Sequence, residues 1–159
     1  MGSANKNHCC FPTEGIGLNP VEEGDFPVSM AGPVTWLLNA LGKWASREGL
    51  RQPVLISACR SVEKQYEMQK KWDRGERGGL VVRPADPKNS RHVADLDGSC
   101  WAFDLGNDDA WLQRAGAFVQ SPAVLNILPG ARWGGVWLNR DPVHFEVVGM
   151  RSVGSWRLT

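Results

Sequence analysis

Three side chains in this sequence have the types needed to hold a divalent metal ion together: His92, Asp104 and His144. A catalytic zinc site takes three protein ligands and leaves a fourth position for water, and two histidines with one carboxylate make such a set. Asp104 and His144 both lie in apolar stretches, where a buried polar group is costly unless it is paired or bound to a metal. The residue types therefore predict a zinc site, with ordinary surface or core histidines as the alternative.

The elements that would position these residues can be read from the hydrophobic pattern. Apolar residues at three- and four-residue spacing predict a helix over 34–48, and Ser61 and Asn107 are predicted N-caps of helices that run to about 74 and about 120. Short apolar, β-branched runs predict strands at 53–59, 100–105, 133–137 and 143–148. A polar, turn-rich loop is expected over 76–99.

This element order predicts an α+β fold, in which a small, mainly antiparallel sheet is flanked by helices within a single domain. Residues 1–30 are rich in turn formers and show no period, so they are interpreted as an extended N-terminal arm ahead of a domain over 31–159.

The composition excludes several classes of partner. The chain has 159 residues, 42% of them hydrophobic, and a formal net charge of +1, which favours neither nucleic acid nor an anionic membrane as the main partner. No apolar stretch approaches the roughly 20 residues that a membrane-spanning helix needs, and no signal peptide is recognised at the N-terminus. Free thiols are the favoured state of the four cysteines, with a pairing of Cys59 with Cys100 left open.

Four segments resemble, in the same order, the LAS group of zinc peptidases. That group comprises D-alanyl-D-alanine carboxypeptidases, D-alanyl-D-alanine dipeptidases and phage endolysins that cut the L-alanyl-D-glutamate bond. The phage endolysins share the Trp-Gly-Gly-x-Trp and Asp-x-x-His patterns most closely. The matching segments are Ile56-Ser-Ala-Cys-Arg60-Ser with Gln65, then Ser90-x-His92, then Ala102-x-Asp104, and finally Trp133-Gly-Gly-Val-Trp137 with Asp141-Pro-Val-His144-Phe-Glu146.

The resemblance implies the zinc DD-peptidase (hedgehog-like) fold, with Zn²⁺ bound by His92, Asp104 and His144. Asp141 takes the position of the general base, which accepts a proton from water and passes it to the leaving amine. Arg60 is expected to stabilise the oxyanion or to hold a substrate carboxylate. The side chains expected to support the cleft or to contact substrate are Ser90, Gln65, Glu146 and Trp133.

Two assignments keep an alternative. Glu146 shares a strand face with His144 by alternation, so it either orients that ligand or competes with Asp141 as the base. His92 and Asp104 are twelve positions apart, five more than is usual in the family, so Asp95 or Asp97 is the alternative carboxylate ligand. Asp104 is preferred because it keeps the Ala-x-Asp-Leu pattern inside a predicted strand.

The expected function is that of a zinc-dependent, endolysin-like peptidase that cuts the stem peptides of peptidoglycan. The alternatives are a D-alanyl-D-alanine carboxypeptidase or dipeptidase, and a non-catalytic phage virion or tail component that docks through the N-terminal arm. The expected location is the host cytoplasm, awaiting release, or the virion.

Overall fold

The computed structural model describes residues 29–80, 82–96 and 98–149, so most of the predicted arm lies outside the described residues. The helices are α1 (Gly32–Arg47), α2 (Val62–Asp73), α3 (Asp109–Val119) and α4 (Pro122–Leu125). The strands are β1 (Ser29–Met30), β2 (Leu55–Ser57), β3 (Ser99–Cys100), β4 (Ala102–Leu105), β5 (Ala131–Trp133) and β6 (His144–Val147). No helix among these residues is long and apolar enough to cross a membrane.

The main sheet has four antiparallel strands in the order β2-β4-β6-β5. A separate parallel pair joins β1 to β3. The predicted fold class, α+β with a mainly antiparallel sheet, is therefore confirmed.

The core lies between one face of the sheet and the helices. Phe103 of β4 and Phe145 of β6 are fully buried and stack with ring centroids 5.5 Å apart. Leu37, Leu38 and Leu41 give α1 its apolar stripe, and all three are fully buried. Because side chains alternate along a strand, the phenylalanines leave the neighbouring positions of β4 and β6 to the opposite face.

The predicted start of the third helix is wrong by one residue because a long-range contact uses the predicted N-cap. Asp108, not Asn107, caps α3 by accepting a hydrogen bond from the Trp111 backbone N–H at 2.9 Å. The Asn107 side chain instead bridges the backbone of Gln52 and Val54, which fixes the approach to β2. The chain also forms α4 immediately after α3, with Ser121 as N-cap and proline in its first turn.

The predicted strand over 133–137 is also wrong beyond its first residue. It begins earlier, at Ala131, and gives way to a 3-10 turn over Gly134–Val136. The Trp133 ring occupies the space beside Gly116 of α3 and Gly135, and a Cβ at either glycine would overlap it. The two glycines therefore seat the indole, and its N–H donates to the Pro142 carbonyl at 2.7 Å.

The substitution Gly116→Ala is expected to destabilise the fold even though alanine is the better helix former. Overlap with the Trp133 ring should cost about 1–3 kcal/mol, more than the roughly 1 kcal/mol gained in helix propensity. Denaturant unfolding should show this loss, whereas Gln113→Ala on the exposed face of the same helix should change stability little. A Gly116→Ala protein more stable than the parent would contradict the packing described.

Candidate metal centre

Strand register brings two of the predicted ligands together. Asp104 pairs with His144 across β4 and β6, and Ala102 pairs with Glu146. Directly opposed residues in an antiparallel pair project from the same face at close range. Asp104 Oδ1 lies 3.2 Å from His144 Nδ1 as a result.

The third predicted ligand comes from the long loop. His92 Nε2 lies 3.2 Å from Asp104 Oδ1 and 3.2 Å from His144 Nδ1. Tetrahedral zinc with bonds of 2.0–2.1 Å places its ligand atoms about 3.3 Å apart. The three atoms thus have the spacing of a metal-binding triangle, and both histidines are buried.

Hydrogen bonds fix the tautomers of the two histidines. His92 Nδ1 lies 2.7 Å from the Ala58 carbonyl oxygen, and an oxygen that can only accept requires a proton on that nitrogen. The lone pair of His92 is therefore on Nε2. His144 Nε2 lies 3.0 Å from Glu146 Oε2, so in its neutral form His144 directs the lone pair of Nδ1 toward the other ligands.

Glu146 is placed to orient His144. Its carboxylate contacts the ring nitrogen that points away from the Asp104 carboxylate. This carboxylate–histidine arrangement is typical of metal sites, where the outer partner fixes ring orientation and basicity. Arg132 of the neighbouring strand lies 3.7 Å from the second oxygen of Glu146.

The electrostatics of the cluster centre on Asp104. Burial alone would raise the pKa of Asp104, but the two histidines, through charge and hydrogen bonds, hold that pKa well below its usual range. Burial likewise acts to lower the pKa of His144, and hydrogen bonds to Asp104 and Glu146 outweigh it and raise that pKa to about 9. Burial acts to raise the pKa of Glu146, but the hydrogen bond to His144, together with the positive charges of His144, Arg132 and Arg91, outweighs burial and lowers that pKa.

Asp141 lies beside this cluster, in the turn before β6. Its backbone N–H donates to the Gly134 carbonyl at 2.9 Å, and its carbonyl accepts from the His144 N–H at 3.1 Å. A Cβ at Gly134 would collide with the Asp141 carbonyl, so the glycine permits this close approach. Burial, and then the negative charge of Asp104, raise the pKa of Asp141.

Arg60 is buried and held on several sides. Its Nη1 donates to Gln65 Oε1 and its Nη2 to Ser57 Oγ, both at 2.9 Å. The same Nη2 lies 3.9 Å from Asp104 Oδ2, the oxygen not shared with the histidines. Gln65, which is predicted to support the cleft, is itself buried and donates to the Ala85 carbonyl at 2.7 Å.

The remaining predicted site residues, Ser90 and Trp133, make contacts outside the metal-binding triangle, whereas Trp137 lies beside it. Ser90 is partly buried, and its carbonyl accepts from the Val93 N–H at 3.2 Å. Trp133 is buried and acts through packing and its bond to Pro142. Trp137 has its ring 5.2 Å from that of His144. The catalytic and substrate roles of these residues stay predictions.

Asp95, the alternative carboxylate that the structure describes, does not join the triangle. Asp95 uses one oxygen to accept from the Ser99 N–H and the other to accept from Trp101 Nε1 at 2.7 Å. Asp95 therefore stabilises the loop between His92 and Asp104. The group that could bind a metal consists of the two histidines and Asp104. Asp97 lies outside the described residues.

Sequence reasoning missed or left open two supports of the site. The Ala58 carbonyl carries no side-chain signal, so its bond to His92 could not be found from residue types. Cys59 and Cys100 form a disulfide, so the favoured interpretation as free thiols is wrong for this pair. The sequence leaves this pairing open because the two cysteines are 41 positions apart and residue types alone do not show that they meet.

Comparison with known proteins supports the fold. No protein-family model matches the chain, and a comparison with curated proteins finds no relative. Among solved structures, the chain is similar to a point mutant of the vancomycin resistance D,D-pentapeptidase VanY, from the VanB-type resistance cassette, in complex with Zn(II). The match has a TM-score of 0.50 and 18% identity, covering 82% of this chain and 79% of the other. The chain thus has the fold of that zinc peptidase.

The affinity of the cluster for Zn²⁺ is expected to rise with pH. With its pKa raised to about 9, His144 carries a proton on Nδ1 at neutral pH that a metal must displace. Affinity should then increase about tenfold per pH unit between roughly 6 and 9, because one proton is released. Competition with a chromophoric chelator at several pH values measures this slope.

The substitution Glu146→Gln tests whether the protonation of His144 causes this pH dependence of zinc affinity. Losing the carboxylate partner lowers the pKa of His144, so the plateau in zinc affinity should be reached at lower pH. A parent protein whose zinc affinity stays flat from pH 6 to 9 would contradict a protonated His144 in the free site.

Proposed function

We propose that this chain is a zinc-dependent peptidase that hydrolyses a peptide bond in the stem peptides of bacterial peptidoglycan. The observation that carries the proposal is the triangle of His92 Nε2, Asp104 Oδ1 and His144 Nδ1, with sides of 3.2 Å. The similarity in fold to a zinc D,D-pentapeptidase supports both the metal and the class of substrate.

The donor set suits zinc. Two neutral imidazoles and one carboxylate leave a further position open, as catalytic zinc sites do. His92, Asp104 and His144 would hold Zn²⁺, which would supply Lewis acidity and lower the pKa of water toward about 7. The Ala58 carbonyl and Glu146 keep the two histidine rings oriented for this role.

Asp141 is the proposed general base. Its carboxyl group is partly buried and is close enough to feel the charges of Asp104, both ligand histidines and Arg60. A raised pKa suits a group that must take a proton from the attacking water and return it to the leaving amine. Glu146 fits this role less well, because its carboxylate is already committed to His144 Nε2 on the far side of the ring.

Arg60 supplies positive charge next to the ligand carboxylate. Because Gln65 and Ser57 hold its guanidinium rigidly, it can stabilise developing negative charge without reorganising. The ion pair with Asp104 also favours the ionised form of this ligand.

The proposed bond specificity is that of an endopeptidase. The sequence resembles phage endolysins most closely around the 3-10 turn, and this turn forms an apolar edge near the site. Val136 and Leu138 are 60% and 101% exposed on either side of Trp137, which contacts His144. An extended peptide with residues on both sides of the cut bond could lie along such an edge. In this proposal the enzyme waits in the host cytoplasm or travels in the virion, with residues 1–30 as the docking arm.

A carboxypeptidase or dipeptidase acting on D-alanyl-D-alanine is the second candidate. The specific observation in its favour is that the similar solved structure is a D,D-pentapeptidase. The two candidates share the metal centre and differ in whether the substrate must end in a free carboxylate.

Digestion of purified sacculi separates these candidates. Mass spectrometry of the soluble products should show chelator-sensitive release of a defined stem-peptide fragment, and re-addition of Zn²⁺ should restore it. New amino termini within the stem indicate the endopeptidase, whereas free D-alanine or its dipeptide indicates the second candidate. A zinc-loaded protein that releases none of these products would contradict the proposal and favour a non-catalytic virion component.

Two substitutions should separate metal binding from proton transfer. His144→Ala removes a ligand and should abolish both zinc binding and turnover. Asp141→Asn keeps the ligand set and should bind zinc while turnover falls by about 10²–10⁴-fold. Asp109→Asn, at an exposed position in the first turn of α3, is the control and should change neither. Near-normal turnover by Asp141→Asn would move the base role to Glu146.

A further inference from the structure

The disulfide between Cys59 and Cys100 lies within the scaffold of the candidate metal centre. Cys59 stands between Ala58, whose carbonyl accepts the His92 ring N–H, and Arg60, whose backbone N–H donates to the His92 carbonyl at 2.7 Å. The two neighbours of this cysteine therefore hold the same ligand, one through its ring and one through its backbone.

The other end of the crosslink supports the same ligand through the residue that precedes it. Cys100 ends β3 and is followed by Trp101, whose backbone N–H donates to the Arg91 carbonyl at 2.7 Å. Arg91 directly precedes His92, and β4 then leads to Asp104. The disulfide thus ties together the two segments between which His92 is held.

The segment that carries Cys59 has limited support from the sheet. Strand β2 has three residues, lies at the edge of the sheet and shows a register irregularity between Leu55 and Ser57. The crosslink joins Cys59, two residues after the end of this strand, to Cys100, the last residue of β3, across 41 positions of sequence. It therefore restrains a segment that strand pairing restrains weakly.

We propose that the Cys59–Cys100 disulfide positions His92 for metal binding, so that the metal affinity of the site depends on the redox state of this pair. This inference rests on the proposed function and adds a form of regulation to the same site. Reduction by a dithiol transfers two electrons and two protons to the disulfide, gives two cysteine thiols and leaves the dithiol as a disulfide. The site then binds zinc more weakly in a reducing compartment than in an oxidising one.

The expected effect is that of removing an outer partner of a metal ligand. Such partners typically contribute about 10–100-fold to metal affinity. The oxidised full-length chain should therefore bind Zn²⁺ about 10–100-fold more tightly than the chain reduced with an immobilised phosphine and desalted under argon. Competition with a chromophoric chelator measures both affinities without any need for turnover.

Three variants control the experiment. Cys59→Ala/Cys100→Ala should bind zinc weakly with or without reductant, which excludes direct binding of zinc by the freed thiols. Cys9→Ser/Cys10→Ser should respond to reductant as the parent does. Val124→Ala, in the fully buried core at α4, should lower the thermal midpoint without changing zinc affinity.

The outcomes distinguish a positioning role from a purely stabilising one. Equal zinc affinity in the oxidised and reduced parent would overturn the inference, even if reduction lowered the thermal midpoint. The inference would also be overturned if reduction no longer changed the zinc affinity of Cys9→Ser/Cys10→Ser. If no form of the protein binds zinc, the metal centre of the proposed function itself fails, so the two failures are told apart.

Discussion

A carboxylate buried in a sheet is costly unless positive charge or a metal compensates it. In this chain Asp104 imposes that requirement on β4, and the structure meets it with His92, His144 and Arg60. Each of these side chains in turn needs a partner, which the Ala58 carbonyl, Glu146, Ser57 and Gln65 supply. The ionised Asp104 therefore requires a first group of positively charged or hydrogen-bonding partners, and these require a second group in turn.

One face of the β4–β6 pair packs into the hydrophobic core, and the other carries the candidate metal ligands. Phe103 and Phe145 stack on the core side, while Asp104 and His144 meet on the other. A slip of one residue by either strand would place its phenylalanine in the site and its ligand in the core. The large aromatic pair therefore fixes the relative position of the two ligands without touching them.

Side-chain type and periodicity are enough to predict α1, α2 and the strands that carry Asp104 and His144, while the choice of the three candidate ligands also needs the resemblance in motif order. The N-cap of α3 was misplaced because Asn107 and the neighbouring Asp108 are equally good caps by type, and long-range bonds to Gln52 and Val54 claim the asparagine. The strand predicted over 133–137 extends beyond the end of β5 because the close approach of Gly134 to Asp141 depends on tertiary packing. The Cys59–Cys100 pairing and the Ala58 carbonyl were undecidable or invisible for the same reason: both depend on contacts between distant parts of the chain.

His92 offers its Nε2 atom to the cluster and His144 its Nδ1 atom, and these two nitrogens lie at different distances from the backbone of their residues. Nδ1 of His144 is the ring nitrogen nearer the backbone, so β6 closely determines the position of this ligand atom. Nε2 of His92 is at the far tip of its ring, on a segment outside the main sheet, so the backbone there can lie further away. A longer loop after His92 can then be accommodated at the periphery of the site, while β4 and β6 still fix the ligand atoms of Asp104 and His144.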